Sequence, residues 1–142
     1  MDKFKVGTVN DLSNDHPLKM YSIYASNIET KTKDVYVYII WDKTNMPLIN
    51  NTCIKIGRSI DPLKRFKSIK SISNGKNLML YIILKCKNGI NAELILHDFF
   101  NEYREIGEWF NIDPFSAIEL MYENGLLDLL FQSMIDPKEL ND

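Results

Sequence analysis

The sequence predicts an α+β domain: a small three-stranded antiparallel sheet flanked by helices in the order β-β-α-β-α-α, preceded by a short N-terminal extension. Two observations carry this expectation. Runs of β-branched, aromatic and aliphatic residues occur at positions 35–41, 52–57 and 78–86, and two Asp-Pro pairs, Asp61-Pro62 and Asp113-Pro114, each precede apolar residues at helical spacing. Strands and helices in this order make a small sheet with helices against it and not a doubly wound sheet.

Taken in order, residues 1–33 show no sustained period of 2 or 3.6 and are assigned to the extension, with at most one short element around residues 18–25. The run Val35-Tyr36-Val37-Tyr38-Ile39-Ile40-Trp41 is the first strand, and a polar stretch containing Pro47 separates it from the second at 52–57, which makes a hairpin with a long loop. Asp61 can accept hydrogen bonds from the free amides of a first helical turn, and Pro62 fits the position where no donor is needed. Leu63, Phe66, Ile69 and Ile72 then give that helix its buried stripe, and Asn74-Gly75 ends it. Residues 78–86 form the third strand and Asn88-Gly89 a turn. A second helix over 92–104 points Ile95, Leu96, Phe99 and Tyr103 inward, and a third runs from Asp113-Pro114 to Asn124-Gly125. Residues 126–135 read as a fourth helix. The expected division is an extension at 1–33, a core at 34–124, and a C-terminal helix and tail at 125–142.

The chain has 142 residues, 45% hydrophobic and 25% charged, which is enough for one globular domain with its own core. No window approaches the ~18 uninterrupted apolar residues of a membrane span, and Met1-Asp2-Lys3-Phe4-Lys5 lacks the apolar segment of a signal peptide, so an intracellular location is expected and a membrane is not. Cys53 and Cys86 each fall within a strand, without the spacing of a zinc site or disulfide framework, and read as small buried hydrophobes. The net charge of −2 hides a strong asymmetry. Residues 1–91 carry 15 Lys+Arg against 7 Asp+Glu, and residues 92–142 carry 2 against 12. A basic half joined to an acidic half points to an anionic ligand on one face, although a solvated surface can be lopsided without one.

The basic charge is densest at 55–76, where Lys55, Arg58, Lys64, Arg65, Lys67, Lys70 and Lys76 meet a single acid, Asp61. Most of these lysines suit a solvated helix face. Arg65 differs: it borders the apolar stripe, one residue before Phe66 and four before Ile69, where a guanidinium is directed across the sheet and suits bidentate recognition of a phosphate. In the second helix Glu93 and His97 are four residues apart, with Asn101 and Arg104 continuing the same side. Such a pair is ordinarily a surface pair contributing about 0.2–0.5 kcal/mol. Tyr36 and Tyr38 would ordinarily be core or cross-strand aromatics.

Considered together, Tyr36-Val37-Tyr38, Lys55-Ile56-Gly57-Arg58-Ser59, Asp61-Pro62-Leu63-Lys64-Arg65-Phe66, Ala92-Glu93-Leu94-Ile95-Leu96-His97 and Gly107-Glu108-Trp109-Phe110 resemble a GIY-YIG endonuclease domain. The likeness is strongest to the branch found in phages, large DNA viruses and bacteria that has K-I-G for Y-I-G and a closing G-E-W-F. It covers residues 35 to about 112, with the motifs in family order. The resemblance implies a metal-dependent endonuclease that hydrolyses DNA phosphodiesters. It makes Tyr38 the tyrosine of the first motif, Gly57 the glycine of the second, Arg65 the catalytic arginine, and Glu93 the carboxylate that binds Mg²⁺ (or Mn²⁺). Two positions depart from the pattern. Lys55 stands where many members have a second tyrosine, and Ile69 stands where other branches have a histidine, a place that His97 takes from the second helix in this reading.

Hydrolysis of a phosphodiester needs an activated water, neutralised charge on phosphorus and a Lewis acid at the leaving oxygen. A tyrosine with an ordinary pKa near about 10 can help only if a cation beside its hydroxyl favours the phenolate, and Lys55 on the adjacent strand is the expected one. The catalytic set is thus Tyr38, Lys55, Arg65, Glu93 and His97. Arg58, Lys64, Lys67, Lys70 and Lys76 are expected to lie along DNA, and Trp109 and Phe110 to pack in the core. No small-molecule cofactor is expected. With so little chain outside the core, weak sequence discrimination, or recognition of a branch or nick, is expected. Two other readings remain: a nucleic-acid-binding module of the same fold without activity, and a protein-protein adaptor working through the acidic helices at 113–135.

Overall fold

The computed structural model describes residues 33–44, 53–74 and 76–140. The expected N-terminal extension, save Lys33, most of the first hairpin loop and the helix-ending Gly75 lie outside the described residues. In chain order the elements are β1 (Tyr36–Asp42), β2 (Cys53–Ser59), α1 (Pro62–Ile72), β3 (Leu78–Cys86), α2 (Ala92–Phe99), a 3₁₀ turn (Asn101–Tyr103), β4 (Arg104–Ile106), β5 (Trp109–Phe110), α3 (Pro114–Glu123), α4 (Leu126–Leu130), β6 (Phe131–Ile135) and a closing 3₁₀ turn (Pro137–Leu140).

The sheet corrects the three-stranded expectation. It has six antiparallel strands in the order β4-β5-β2-β1-β3-β6, so the class is α+β but the three expected strands are only its centre. The additions cover both flanks. Residues 126–135, read as one helix, split: Leu126–Leu130 is helical, and at Phe131 the backbone turns extended (φ −125°, ψ 147°) and pairs with β3. Ten residues with one acid and almost no polar face carry no period that separates helix from strand. The open edge of β3 decides, because its buried amides and carbonyls need partners. On the other flank the expected long second helix stops at Phe99. The chain turns back through β4 and β5, with Gly107 in the left-handed region (φ +57°) allowing the reversal.

Helix α1 begins as the sequence suggests, with the Asp61 carboxylate accepting from the Lys64 amide at 3.2 Å and Pro62 in the first turn. Asp113 caps α3 in the same way through the Ser116 amide at 2.8 Å. Both faces of the sheet are covered. On one, Tyr38, Ile40, Leu78, Leu80 and Ile83 pack with Ile69 of α1, flanked by Leu63, Phe66 and Trp109. On the other, Val37, Ile39, Ile54, Ile56 and Leu84 pack beneath α2, α3 and α4. The basic helix α1 and the acidic helix α3 therefore lie on opposite faces. Ile72, expected in the α1 stripe, is the last residue of the helix and is 79% exposed. Cys86 is buried and Cys53 half-buried. Among the described residues no helix is long and apolar enough to cross a membrane.

Candidate active site

The β1/β2 register sets the geometry. Tyr38 lies opposite Gly57, and Lys55 lies opposite Ile40, two residues further along on the same face. Gly57 has no need of an unusual backbone angle; it is required for space. A Cβ there would stand 2.2 Å from the Tyr38 hydroxyl oxygen and Cζ, so the tyrosine ring lies directly on the glycine backbone. Gly57→Ala is therefore expected to push the Tyr38 ring out of its buried seat at a cost of about 1–3 kcal/mol. Thermal melting checks this, and a variant as stable as the wild type would contradict the packing.

The outer neighbour of β2 is β5, but β5 pairs only with Ile54 and Lys55; the Ile56 amide then donates to the Glu108 carbonyl at 3.1 Å. Past that point no strand among the described residues pairs with the edge of β2, and side chains from both faces of the sheet reach a common cleft. This cleft, of about 290 Å³, is lined by Val35, Tyr38, Arg58, Ser59, Ile60, Arg65, Glu93 and Glu108. Three of the sequence-expected residues, Tyr38, Arg65 and Glu93, meet here, and of the five expected DNA-contacting residues only Arg58 joins them. Lys64, Lys67, Lys70 and Lys76 are exposed outside it. Lys70 stands over the Phe66 ring at 5.7 Å, and Lys76 stands over Trp109 at 5.3 Å and 3.7 Å from the Asp42 carboxylate.

The electrostatics depart from the expected pairing of Tyr38 with Lys55. Burial raises the Tyr38 pKa; the hydrogen bond and charge of Arg65 oppose the rise without cancelling it, and the charges of Glu108 and Glu93 add to it. The hydroxyl is thus neutral at physiological pH, and its cationic neighbour is Arg65. Lys55 instead places its ammonium 2.9 Å from Glu108 Oε1. Burial alone would raise Glu108, but the Lys55 hydrogen bond and charge outweigh it and hold that carboxyl below its usual range. Glu93 moves the other way, to about 7, through burial, the neighbouring Glu108 charge and a hydrogen bond with Glu108, partly offset by Arg58 and Lys55. The two carboxyls form an asymmetric, coupled pair, Glu93 raised and Glu108 lowered.

His97 stands one helical turn after Glu93, its Nε2 3.8 Å from Glu93 Oε2 and 2.8 Å from the Ile56 carbonyl oxygen. A carbonyl can only accept, so Nε2 carries the proton and donates to it. With its ring also 5.3 Å from that of Phe110, His97 ties α2 to β2 and β5. Potential ligand atoms of Glu93, His97 and Glu108 all lie within 4.8 Å of one another. Two carboxylates in one partly buried cleft fit a hard divalent cation, and the commitment of His97 Nε2 to Ile56 leaves Glu93 and Glu108 as the protein ligands best placed for one.

Glu108 was not among the residues expected to act. Its signal was a lone acid between Gly107 and the aromatic pair Trp109-Phe110, of which Phe110 is fully buried and Trp109 partly so. The pair drew attention to core packing, whereas the turn before it carries the functional group.

No curated protein and no solved structure matches the chain. A family model described as the T5orf172 domain matches residues 35–123, from the residue before β1 to the end of α3, and so takes in every side chain of the cleft. The chain belongs to the T5orf172 domain family, a phage-associated domain related to GIY-YIG and HNH-like nucleases.

Proposed function

We propose that the protein is a metal-dependent endonuclease that hydrolyses DNA phosphodiesters, with weak sequence discrimination or a preference for branched or nicked DNA. The observation that carries this reading is the convergence of two guanidiniums, a buried tyrosine hydroxyl and a carboxyl pair in one open cleft. Arg58 and Arg65 bring fixed positive charge to a phosphate that gains negative charge in the transition state. Tyr38, neutral and held by Arg65, orients the attacking water through its hydroxyl. Glu93 and Glu108 hold Mg²⁺ or Mn²⁺, which when bound supplies a Lewis acid for the leaving oxygen. Lys64, Lys67 and Lys70, exposed along α1, give DNA a basic track beside the cleft.

The test is a digest of supercoiled, linear, single-stranded and branched DNA in Mg²⁺, Mn²⁺ or EDTA. Cleavage in either metal and none in EDTA is expected. Salt-dependent binding without cleavage would reduce the protein to a binding module, and absence of both would leave the acidic face, α3 and its surroundings, as the working surface.

A further inference from the structure

We propose that Lys55 is a tethered stand-in for the divalent cation: its ammonium holds Glu108 in place as the second carboxylate ligand and gives it up when the ion binds. The inference rests on the reading that Glu93 and Glu108 take an ion, and extends it to what occupies those carboxylates beforehand.

Two carboxyls sharing one cleft repel unless positive charge lies between or beside them. In the structure the Lys55 ammonium supplies that charge, 2.9 Å from Glu108 Oε1. The lysine is held close by the fold. Its backbone pairs with Ile40 on one side and with Trp109, the residue after Glu108, on the other. The Lys55 side chain is 14% exposed, so its ammonium is confined between the carboxylate and protein surface. It also stands 5.7 Å from the centre of the Trp109 ring. That ring, which Lys76 also faces at 5.3 Å, keeps a favourable contact with the ammonium when Glu108 turns to another cation. A lysine suits this role better than an arginine, since it is a compact point charge on a flexible stem and not a planar fork that locks onto both carboxylate oxygens.

The arrangement differs from a lysine that acts on the ion only through its charge at a distance, whose removal would raise ion affinity equally with or without the Glu108 carboxylate. If ammonium and ion compete for Glu108, removing the ammonium strengthens ion binding even with no DNA present.

The experiment is Mn²⁺ binding to the full chain without DNA, followed by electron paramagnetic resonance at one fixed pH and ionic strength for all variants. Lys55→Met is expected to tighten Mn²⁺ binding about tenfold, because the ion no longer has to displace an ammonium from the Glu108 carboxylate. Lys138→Met, at an exposed position with no part in the cleft, is expected to leave Mn²⁺ affinity unchanged, and Lys55→Arg to bind no more tightly than wild type. In a Glu108→Gln background, which itself weakens Mn²⁺, the gain from Lys55→Met is expected to disappear. If the methionine variant fails to fold, Lys55→Gln replaces it. Unchanged or weaker binding, an equal gain in both backgrounds, or no Mn²⁺ binding by any variant would overturn the proposal. Exchange of this kind in a protein that cuts no DNA would sustain it while removing the nuclease reading; cutting with an unmoved Mn²⁺ affinity would do the opposite.

Discussion

Glu93→Gln is expected to abolish hydrolysis of DNA in Mg²⁺ while leaving the fold, and DNA binding in EDTA, intact. The amide keeps the shape of the side chain and can still hydrogen-bond Glu108, but it cannot carry the charge a divalent ion needs. Binding in EDTA should be unchanged or slightly tighter, because a potential negative charge has left an anion site. The same carboxyl predicts a pH dependence. Its pKa in the folded protein, about 7, lies above its ordinary value of 4.5. A group raised by folding contributes stability fully below its unfolded pKa and loses that contribution as pH rises through the folded one. The cation-free protein should therefore melt at progressively lower temperature as pH climbs from about 4.5 through 7, and Mn²⁺ should raise Tm more at about pH 8 than at about pH 5.5. Both trends should be absent from Glu93→Gln. A glutamine variant that cuts at a comparable rate, or a Tm gain equal at both pH values, would remove Glu93 from the ligand set.

Arg65→Ala is expected to slow cleavage at least ~100-fold, the scale of losing one fixed donor to a developing oxyanion. Its effect should exceed that of an ordinary phosphate contact because Arg65 has two tasks in the structure, lining the cleft and holding the Tyr38 side chain. Lys67→Ala and Lys70→Ala, on exposed positions of the same helix, should weaken DNA binding and flatten its salt dependence with the cleavage step little changed. Single-turnover rates at saturating protein separate the two classes. Equal, small effects from all three would make Arg65 one more backbone contact.

Much of the site was legible because strong local rules place it. Runs of β-branched, aromatic and aliphatic residues mark β1 and β2, and the Asp61-Pro62 cap marks where α1 starts, which together bring Arg65 over the Tyr38 face. What failed depends on partners distant in sequence. Lys55 was expected beside Tyr38, but the register sets Tyr38 against Gly57 and puts Lys55 opposite Ile40, within reach of Glu108 instead. That register cannot be read from either strand alone. The hairpin β4–β5 is only three and two residues long, too short for any periodicity, so the turn that delivers Glu108 gave no signal of its own. Strand β6 was hidden in an apolar run that its neighbour β3, and not its own pattern, makes extended.

The reversal at Gly107 has a bearing on when the protein becomes competent. Tyr38 and Glu108 come from positions 70 apart in the sequence, and β5, which pins Glu108 to Ile56, is the last piece to arrive at that edge of the sheet. Contacts so remote form late, because closing long loops costs entropy before any packing is gained. A chain that ends before residue 108 therefore carries Tyr38, Arg58, Arg65 and Glu93 but lacks the second carboxyl of the pair, so the cleft is complete only once residues 104–110 have folded back onto β2.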